Sequence, residues 1–312
     1  MLLASTPFTE LVGCRLPVQQ AAMGGVTTPA LAAAVARAGG LGMIAAAGLS
    51  ASTVVDDVTA ALDGAGAGGR VGVGFLMPFL DEAALEAAAT VAALVECFYG
   101  DPVGAVVERV HAAGALVGWQ VGSPEEARAA EDAGCDLVVV QGSEAGGHVR
   151  GTTALLPLLH EVRARTGLPL LAAGGIGSGG AVAAALAAGA DGVRVGTRFV
   201  ATVEADAHHG YVAALIDAGP QDTVLTQAFS LGWPDAPHRV LRRCVDPPGI
   251  GSRPRSPVPP TRSFTGDVAS SALYAGASVG EVTSITSAAD VVAELVHEAA
   301  EALAGPPAEP SR

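Results

Sequence analysis

The chain has 312 residues, 50% of them hydrophobic, and a formal net charge of −14 at pH 7. Because nucleic-acid binding requires clustered positive charge, this balance argues against a nucleic-acid partner. No apolar run reaches the roughly 18 residues that cross a bilayer, and the N-terminus lacks the basic and apolar regions of a secretory signal. We therefore expect a cytoplasmic protein with no membrane partner.

All 17 basic residues are arginine, since the sequence contains no lysine. This composition excludes a Schiff-base lysine, a P-loop lysine and a lysine general base. The four cysteines form no C-x-x-C pair, and the seven histidines show no metal-binding spacing. We predict no metal site, and we interpret the cysteines as small buried side chains in a reducing compartment.

Short β-branched runs alternate with alanine-rich helical segments from residue 17 to about residue 218. Ser123 and Pro124 supply the cap and first residue of one such helix, and Gly39 ends another. Eight strands are predicted, each followed by a helix, at residues 17–23, 41–48, 70–77, 93–100, 116–123, 136–143, 168–175 and 192–199. Eight such units in about 200 residues favour a (β/α)8 TIM barrel over a doubly wound open sheet.

The pattern changes after the eighth unit. Residues 221–244 are mixed and polar, and residues 245–262 are rich in proline, arginine and serine, which predicts an extended, mobile loop. Two helices are predicted near residues 264–275 and 289–304. We accordingly divide the chain into a barrel over residues 1–218, an extension over 219–305 that completes or covers one barrel end, and a disordered tail over 306–312.

A glycine-rich turn, QGSEAGGH, follows the sixth predicted strand at residues 141–148. The active site of a TIM barrel lies at the carboxyl ends of its strands. The turn therefore places His148, whose imidazole exchanges protons near neutral pH, at such a site. Glu144 in the same turn is expected to accept backbone N–H donors and hold the loop.

Two further glycine turns follow the seventh and eighth predicted strands. Because backbone N–H groups in such turns bind anions without lysine, they predict a phosphate site. The residues expected to contact the phosphate are Gly174, Gly175, Gly196 and Thr197.

Five segments resemble the nitronate monooxygenase (2-nitropropane dioxygenase) family: PVQQAAMGGVTTP, GVGFLMPF, QGSEAGGH, LAAGGIGSGG and GADGVRVGTRFVAT. The resemblance runs in order from about residue 16 to residue 204 and resumes near DTVLT and YAGASVG. Members of this family are FMN-dependent (β/α)8 enzymes. The resemblance implies oxidation of alkyl nitronates, and of nitroalkanes, by O2 to a carbonyl product and nitrite. His148 would remove the acidic α-proton of a neutral nitroalkane.

The same resemblance implies the FMN contacts. The flavin would lie against Ala22, Met23 and Gly24 with Gln141 and Gly146 beside it, and the phosphate would be held by Gly174, Gly175, Gly196 and Thr197. The further cofactor-binding residues are Gly74, Gly147 and Val195. The sequence departs from the family at Ala22, where proline is usual, and at Gly74, where asparagine is usual. Since reduced flavin carries negative charge near N1 and lysine is absent, Arg150 and Arg198 are candidates to meet that charge.

Two alternatives stay open. One is an FMN-dependent enoyl-thioester reductase, which would use NAD(P)H and a fatty-acyl carrier and shares the EAGGH motif and the barrel. The other is a flavin-binding protein that acts on an unrelated substrate. The segments QAAMGGVTTP, DTVLT and YAGASVG favour the nitronate family. The large apolar fraction is compatible with a homodimer.

Overall fold

A computed structural model of the chain describes residue 3 and residues 5–230, 232–245 and 255–305. Eight parallel strands close into a barrel in the order β1-β2-β3-β4-β5-β6-β8-β9. The barrel strands are β1 (Val18–Gln20), β2 (Leu41–Ala45), β3 (Arg70–Leu76), β4 (Leu94–Phe98), β5 (Leu116–Val121), β6 (Leu137–Gln141), β8 (Leu170–Ala173) and β9 (Gly192–Val195). Each lies within a predicted strand, so the (β/α)8 TIM barrel is confirmed.

Helices cover the outside of the barrel and fill the connections between its strands. They are α1 (Pro7–Val12), α2 (Pro29–Ala38), α3 (Ala51–Ala65), α4 (Glu82–Ala89), α5 (Gly104–Ala113), α6 (Pro124–Asp132), α7 (Leu155–Arg163), α8 (Gly179–Ala187), α9 (Thr197–Val200), α10 (His209–Ile216) and α11 (Ala288–Ala304). The predicted caps are present: the Ser123 hydroxyl accepts a hydrogen bond from the N–H of Glu126, and Gly39 ends α2 in the left-handed conformation.

Short 3₁₀ turns complete the connections, at Met77–Phe79, Pro220–Asp222, Arg242–Cys244, Val268–Ser270 and Ala277–Glu281. Among the described helices, none combines the length and the apolar character that crossing a membrane requires.

Side chains on the barrel strands alternate between two separate cores. On β9, Val193 and Val195 pack outward in the large core shared with the helices, whereas Arg194 between them lies inside the barrel. The interior core contains one leucine from each of four alternate strands: Leu41, Leu94, Leu137 and Leu171. Such layers are typical of a packed barrel interior.

Helix α1, which the sequence did not predict, closes the amino-terminal end of the barrel. Its residue Phe8 is fully buried among the interior leucines. A Cβ added at Gly192 would lie 2.9 Å from the Phe8 ring, so β9 needs a glycine where the ring packs against it. The barrel interior is consequently filled at this end, and a ligand can enter only at the carboxyl ends of the strands.

A second, three-stranded sheet lies over the barrel mouth in the order β10-β11-β7, where β7 is Gly147–His148, β10 is Thr223–Thr226 and β11 is His238–Leu241. All of its pairs are antiparallel, and His238 lies opposite His148. The polar composition of residues 221–244 did not indicate these strands. Their pairing attaches the segment after the barrel to the loop that carries His148.

The predicted helix near residues 264–275 is wrong. Apart from the 3₁₀ turn Val268–Ser270, this segment forms no helix, because its backbone pairs with two neighbouring segments. The N–H of Leu241 donates to the carbonyl of Leu273 over 2.8 Å, and the N–H of Ala272 donates to the carbonyl of Ser256 over 2.9 Å. These long-range hydrogen bonds outweigh the weak helical preference of the sequence.

The predicted helix near residues 289–304 is confirmed as α11, which packs against α8 and α2. Its Glu298 carboxylate accepts a hydrogen bond from the N–H of Gly179 over 2.9 Å, and its Glu294 forms an ion pair with Arg198 over 2.7 Å. Residues 246–254 of the predicted mobile loop and the predicted tail, 306–312, lie outside the described residues. The division of the chain at residue 218 stays a prediction.

Replacing Leu295 tests the docking of α11. Leu295 is fully buried, so Leu295→Ala should lower the free energy of unfolding by about 2–5 kcal/mol through lost contacts and a residual cavity. Chemical denaturation measures this change. His297→Ala on the same helix is the control and should change stability by less than about 0.5 kcal/mol, since 74% of that side chain is exposed. Equal effects of the two substitutions would contradict the docked position.

Candidate active site

A cavity of about 490 Å³ opens at the carboxyl ends of the barrel strands. This volume lies in the usual range of small-molecule sites. The predicted site residues that line the cavity are Ala22, Met23, Gly24, Gly74, Gln141, Gly146, Gly147, His148, Gly174, Gly175, Gly196 and Thr197. Val195 does not line it, because the alternation along β9 turns its side chain outward into the helix-facing core.

The loop that carries His148 is held by two side chains of its own segment. The Gln141 amide donates to the carbonyl of His148 over 2.8 Å and accepts from the N–H of Arg150 over 3.4 Å. The Glu144 carboxylate accepts from the N–H of Leu155 over 3.1 and 3.0 Å. Glu144 therefore holds the loop as expected, and Gln141 fixes the backbone from the carbonyl of His148 to the N–H of Arg150.

Gly146 lets this loop pack directly against Ala275 and Gly276 of the extension. A Cβ added there would lie 2.5 Å from the nitrogen of Gly276 and 2.7 Å from the carbonyl carbon of Ala275. Next to it, the N–H of Ala277 donates to the carbonyl of Glu144 over 2.9 Å. Only glycine fits such a close approach of two backbones.

The imidazole of His148 is partly buried among aromatic rings. Its centroid lies 4.2 Å from the Trp233 ring, 5.3 Å from the His238 ring and 5.8 Å from the Tyr274 ring. Neither ring nitrogen has a hydrogen-bond partner among the described residues. Burial, and secondly the charge of His238, lower the pKa of His148 to about 4. The ring is therefore neutral at neutral pH and free to accept a proton.

His238 stands beside His148 as a fixed, neutral ring. It is fully buried, and its Nε2 accepts a hydrogen bond from the N–H of Phe229 over 3.2 Å. Its Nδ1 therefore carries the proton, which it donates to the carbonyl of Ala236 over 3.0 Å. Burial also lowers the pKa of His238. The second histidine thus contributes no positive charge near His148 at neutral pH.

The turn after β8 presents unpaired backbone donors at the cavity wall. Gly174 and Gly175 have φ values of +109° and +69°. Within the described part of the chain, the N–H groups of Gly174, Gly175 and Ile176 have no hydrogen-bond partner, and all three residues line the cavity. Successive free N–H groups in a turn of this kind form a concave site for an anion.

Space for a ligand is left open on the same walls. A Cβ added at Gly24 or Gly147 would meet no atom within 4 Å. Thr197, at the start of α9, accepts a hydrogen bond on its hydroxyl from the N–H of Gly276 over 3.0 Å and keeps its own hydroxyl proton to donate. The predicted phosphate residues therefore lie together, with donors and room for an anionic group.

A charged network forms the floor of the cavity, and the sequence reasoning missed it. Arg194 on β9 forms an ion pair with Glu96 on β4. Its Nε donates to Gln19 over 2.9 Å, and its Nη1 donates to Gln120. Burial lowers the pKa of Arg194 to about 9, so the guanidinium stays protonated at neutral pH. The run GVRVG could have predicted this position, because side chains alternate along a barrel strand and two outward-facing valines turn the arginine between them into the barrel.

The arginines proposed to meet the flavin charge are not at the cavity. Arg150 forms ion pairs with Glu126 and Asp101. Arg198 forms an ion pair with Glu294. Neither side chain lines the cavity, so the prediction for both residues is wrong. Carboxylates outside the cavity already pair with both guanidinium groups, whereas Arg194 lines the cavity.

Aromatic side chains close one side of the cavity mouth. The Trp233 ring lies 5.1 Å from the Phe79 ring and 4.6 Å from the Tyr99 ring, both edge to face. Trp233 and Phe79 also line the cavity. The sequence gave no indication that Trp233, in a polar segment after the barrel, would contact His148. These rings form an apolar wall beside the imidazole of the histidine.

Metal ligands are not grouped at this site. Over residues 5–230, 232–245 and 255–305, no set of three or more histidine, cysteine, aspartate or glutamate side chains is placed to hold a metal ion. The four cysteines are buried and unpaired.

The sequence profile of the nitronate monooxygenase family matches residues 5–67 and 70–245. A nitronate monooxygenase of Pseudomonas aeruginosa is 35% identical in an alignment that covers 72% of this chain and 77% of that protein. A (3aS,4S,5R,7aS)-5-hydroxy-7a-methyl-1-oxo-octahydro-1H-indene-4-carboxyl-CoA dehydrogenase of Mycobacterium tuberculosis is 36% identical in an alignment that covers 80% of this chain and 70% of that protein.

Two solved structures are similar over nearly the whole chain. FabK from Thermotoga maritima matches with a TM-score of 0.82 and 29% identity, covering 96% of this chain and 97% of that one. Nitroalkane oxidase from Streptomyces ansochromogenes matches with a TM-score of 0.78 and 32% identity, covering 95% and 99%. The similar proteins therefore include more than one oxidoreductase chemistry on this barrel.

Gly174→Ala tests whether the turn after β8 needs its left-handed conformation. An alanine would be strained at a φ of +109° and would place its Cβ 2.9 Å from the nitrogen of Ala145. We expect a loss of about 1–3 kcal/mol in the free energy of unfolding, measured by chemical denaturation. Gly180→Ala is the control, because that helical site has no atom within 4 Å and should gain up to about 1 kcal/mol. A Gly174→Ala variant as stable as the control would refute the strained geometry.

Proposed function

The chain belongs to the nitronate monooxygenase family, a family of flavin-dependent oxidoreductases, and from this we propose that it uses FMN and O2 to oxidise alkyl nitronates to a carbonyl product and nitrite. The cavity carries the proposal, because backbone N–H groups on its wall that are free among the described residues suit the phosphate of a flavin. His148 adds a neutral base on the same wall, with both ring nitrogens free among the described residues, for the neutral nitroalkane. A proton-accepting group in that position suits a substrate with an acidic C–H bond.

The cavity fits a phosphorylated flavin. The free N–H groups of Gly174, Gly175 and Ile176 would hold the phosphate, and Gly24 and Gly147 leave room along the walls. The turn Ala22–Gly24 and the loop at Gly146 would border the ring system. When bound, FMN would accept the electrons that leave the substrate and pass them to O2.

His148 would act on neutral nitroalkanes but is not required for nitronates. A pKa of about 4 keeps the imidazole unprotonated and available, yet it also makes the ring a weak base. A nitronate has already lost the α-proton, so its oxidation needs no proton transfer to protein. The weak base therefore favours the nitronate as the better substrate.

The aromatic wall would keep water from the reacting groups. Trp233 lies against one face of the His148 ring, and Tyr274 lies on another side. Because burial disfavours the protonated ring, a proton taken from the substrate would be held on His148 only briefly and then released. The wall is apolar and suits the alkyl part of the substrate.

A second candidate function is the oxidation or reduction of an acyl thioester. The similar proteins include a dehydrogenase of a carboxyl-CoA thioester and FabK. One observation favours it. In a chain of net charge −14, residues 239–262 contain six arginines and one acidic residue. Pro257 and Val258 of this segment line the cavity. Among the described residues, five arginines of this segment form no ion pair with a carboxylate: Arg239, Arg242, Arg243, Arg255 and Arg262. Such a segment would attract the phosphates of a thioester carrier.

Oxygen uptake distinguishes the two functions. The FMN-loaded protein should consume O2 and release nitrite with propyl-1-nitronate and without NADPH. The second candidate instead predicts NADPH oxidation that depends on an enoyl-CoA. Nitronate-independent oxygen uptake, together with enoyl-CoA-dependent NADPH oxidation, would contradict the proposed nitronate chemistry.

His148→Ala should separate proton abstraction from oxidation. We expect kcat/KM for a neutral nitroalkane to fall by about 10²- to 10⁴-fold, the usual contribution of a positioned base. Turnover of the corresponding nitronate should fall less than about tenfold, because no proton is removed. His160→Ala is the matched control, since that histidine is exposed on α7, and it should leave both rates unchanged. Equal losses for the two substrates would refute the role of base.

The pH dependence follows from the lowered pKa. Because only the neutral ring accepts a proton, activity on neutral nitroalkane should be lost as pH falls through about 4, the pKa of His148. Stopped-flow pH jumps, which limit the exposure of the protein to acid, would give kcat/KM for the neutral nitroalkane at each pH. The His160→Ala variant should show the same loss of kcat/KM at low pH. A fall in kcat/KM centred near pH 6.5, the ordinary pKa of histidine, would contradict the burial of the His148 ring.

A further inference from the structure

The ion pair between Arg194 and Glu96 is not required to close the barrel. Both side chains are buried, with 8% and 3% of their surface exposed. Below them the interior is filled by leucines and Phe8. A buried ion pair loses hydration that its own attraction only partly restores, so apolar side chains of similar size would stabilise the barrel at least as well. This cost points to a role for the charges at the cavity.

Gln19 and Gln120 hold the pair in a fixed position. The Gln19 side chain accepts from Nε of Arg194 over 2.9 Å and donates to Glu96 over 3.2 Å, so it bridges both charges. Gln120 accepts from Nη1 of Arg194. A guanidinium has five N–H donors, and these contacts with the ion pair use three of them. Two N–H donors of Arg194 therefore have no partner among the described residues.

The cavity extends down to the pair because the neighbouring side chains are small. In the strand ladders, Glu96 lies opposite Gly74 and Arg194 lies opposite Ala173. Arg194, Glu96, Gly74 and Ala173 all line the cavity. A ligand at the barrel mouth therefore meets the ion pair across a glycine and an alanine, with no large side chain between them.

We propose that Arg194 and Glu96 together set the electron affinity of the flavin, with Arg194 favouring reduction and Glu96 opposing it. The inference rests on the proposed flavin site. A flavin that gains two electrons and one proton gains one negative charge, so a fixed cation at the cavity floor stabilises the reduced form and a fixed anion destabilises it. In a buried site such charges act with little screening. The arginine thereby supplies the positive charge that no lysine of this chain can provide.

Two substitutions with opposite predicted effects test the proposal. Sulfite is the probe, because its sulfur lone pair forms a bond to N5 of oxidised flavin, no group leaves, and the negative charge moves onto the ring. Arg194→Met should weaken sulfite binding by at least about tenfold and lower the flavin reduction potential. Glu96→Gln, which keeps the shape, should strengthen sulfite binding by at least about threefold and raise the potential.

Met43→Leu is the matched control. The Met43 sulfur lies 3.3 Å from the Gln19 amide, so the substitution perturbs packing beside the network without changing charge. Sulfite affinity should stay within about twofold of wild type, as expected for a volume-conserving change. The loss of flavin absorbance on titration with sulfite gives the dissociation constant of sulfite. Reduction in the presence of a reference dye gives the reduction potential of the flavin.

Shifts of the same sign for both charge variants, or no shift beyond the control, would overturn the proposal and leave the pair a structural role. If Arg194→Met does not fold, Glu96→Gln decides alone, and an unchanged or weaker sulfite affinity overturns the proposal. A wild-type chain that binds no flavin contradicts the proposed function and this inference together. Bound flavin with unshifted sulfite affinity contradicts the inference alone.

Discussion

Closure of the eight-stranded barrel is the constraint on which the site depends. In a closed sheet every strand must send alternate side chains inward, and the interior must be filled or left as a cavity. Helix α1 and a leucine layer fill the amino-terminal end. The same alternation brings Arg194 and Glu96 to the level above the leucines. Only the carboxyl end is open, so the glycine turns and His148 surround one cavity.

The extension after the barrel completes this cavity. Strand β11 pairs with the loop after β6, which sets His238 opposite His148. Trp233, from the connection between β10 and β11, lies on the His148 ring. These contacts bury the imidazole and lower its pKa. A barrel alone would leave the histidine on an exposed turn, whereas the added sheet makes it a neutral base in an apolar surrounding.

The sequence predicted the parts of the fold that local patterns encode. Eight β-branched runs at regular spacing were sufficient to predict the barrel. The glycine turns were sufficient to predict most of the residues that line the cavity. The small sheet was not predictable, because β10 and β11 are stabilised by pairing with distant segments. The helix near residues 264–275 failed for the same reason, since Leu273 pairs with Leu241 across the sequence. The position of Arg194 depends on the alternation along β9, where Val193 and Val195 face the helices and the arginine between them faces the barrel interior.

Equilibrium binding of FMN, compared with riboflavin, tests the central claim most directly. If the free N–H groups of Gly174, Gly175 and Ile176 hold the phosphate, the apo-protein should bind one FMN per chain. Riboflavin, which lacks the phosphate, should bind at least about 100-fold more weakly, the equivalent of two charge-assisted hydrogen bonds. Fluorescence titration measures both affinities. Equal affinities, or no binding of either flavin, would contradict the assignment of this cavity as a phosphorylated-flavin site.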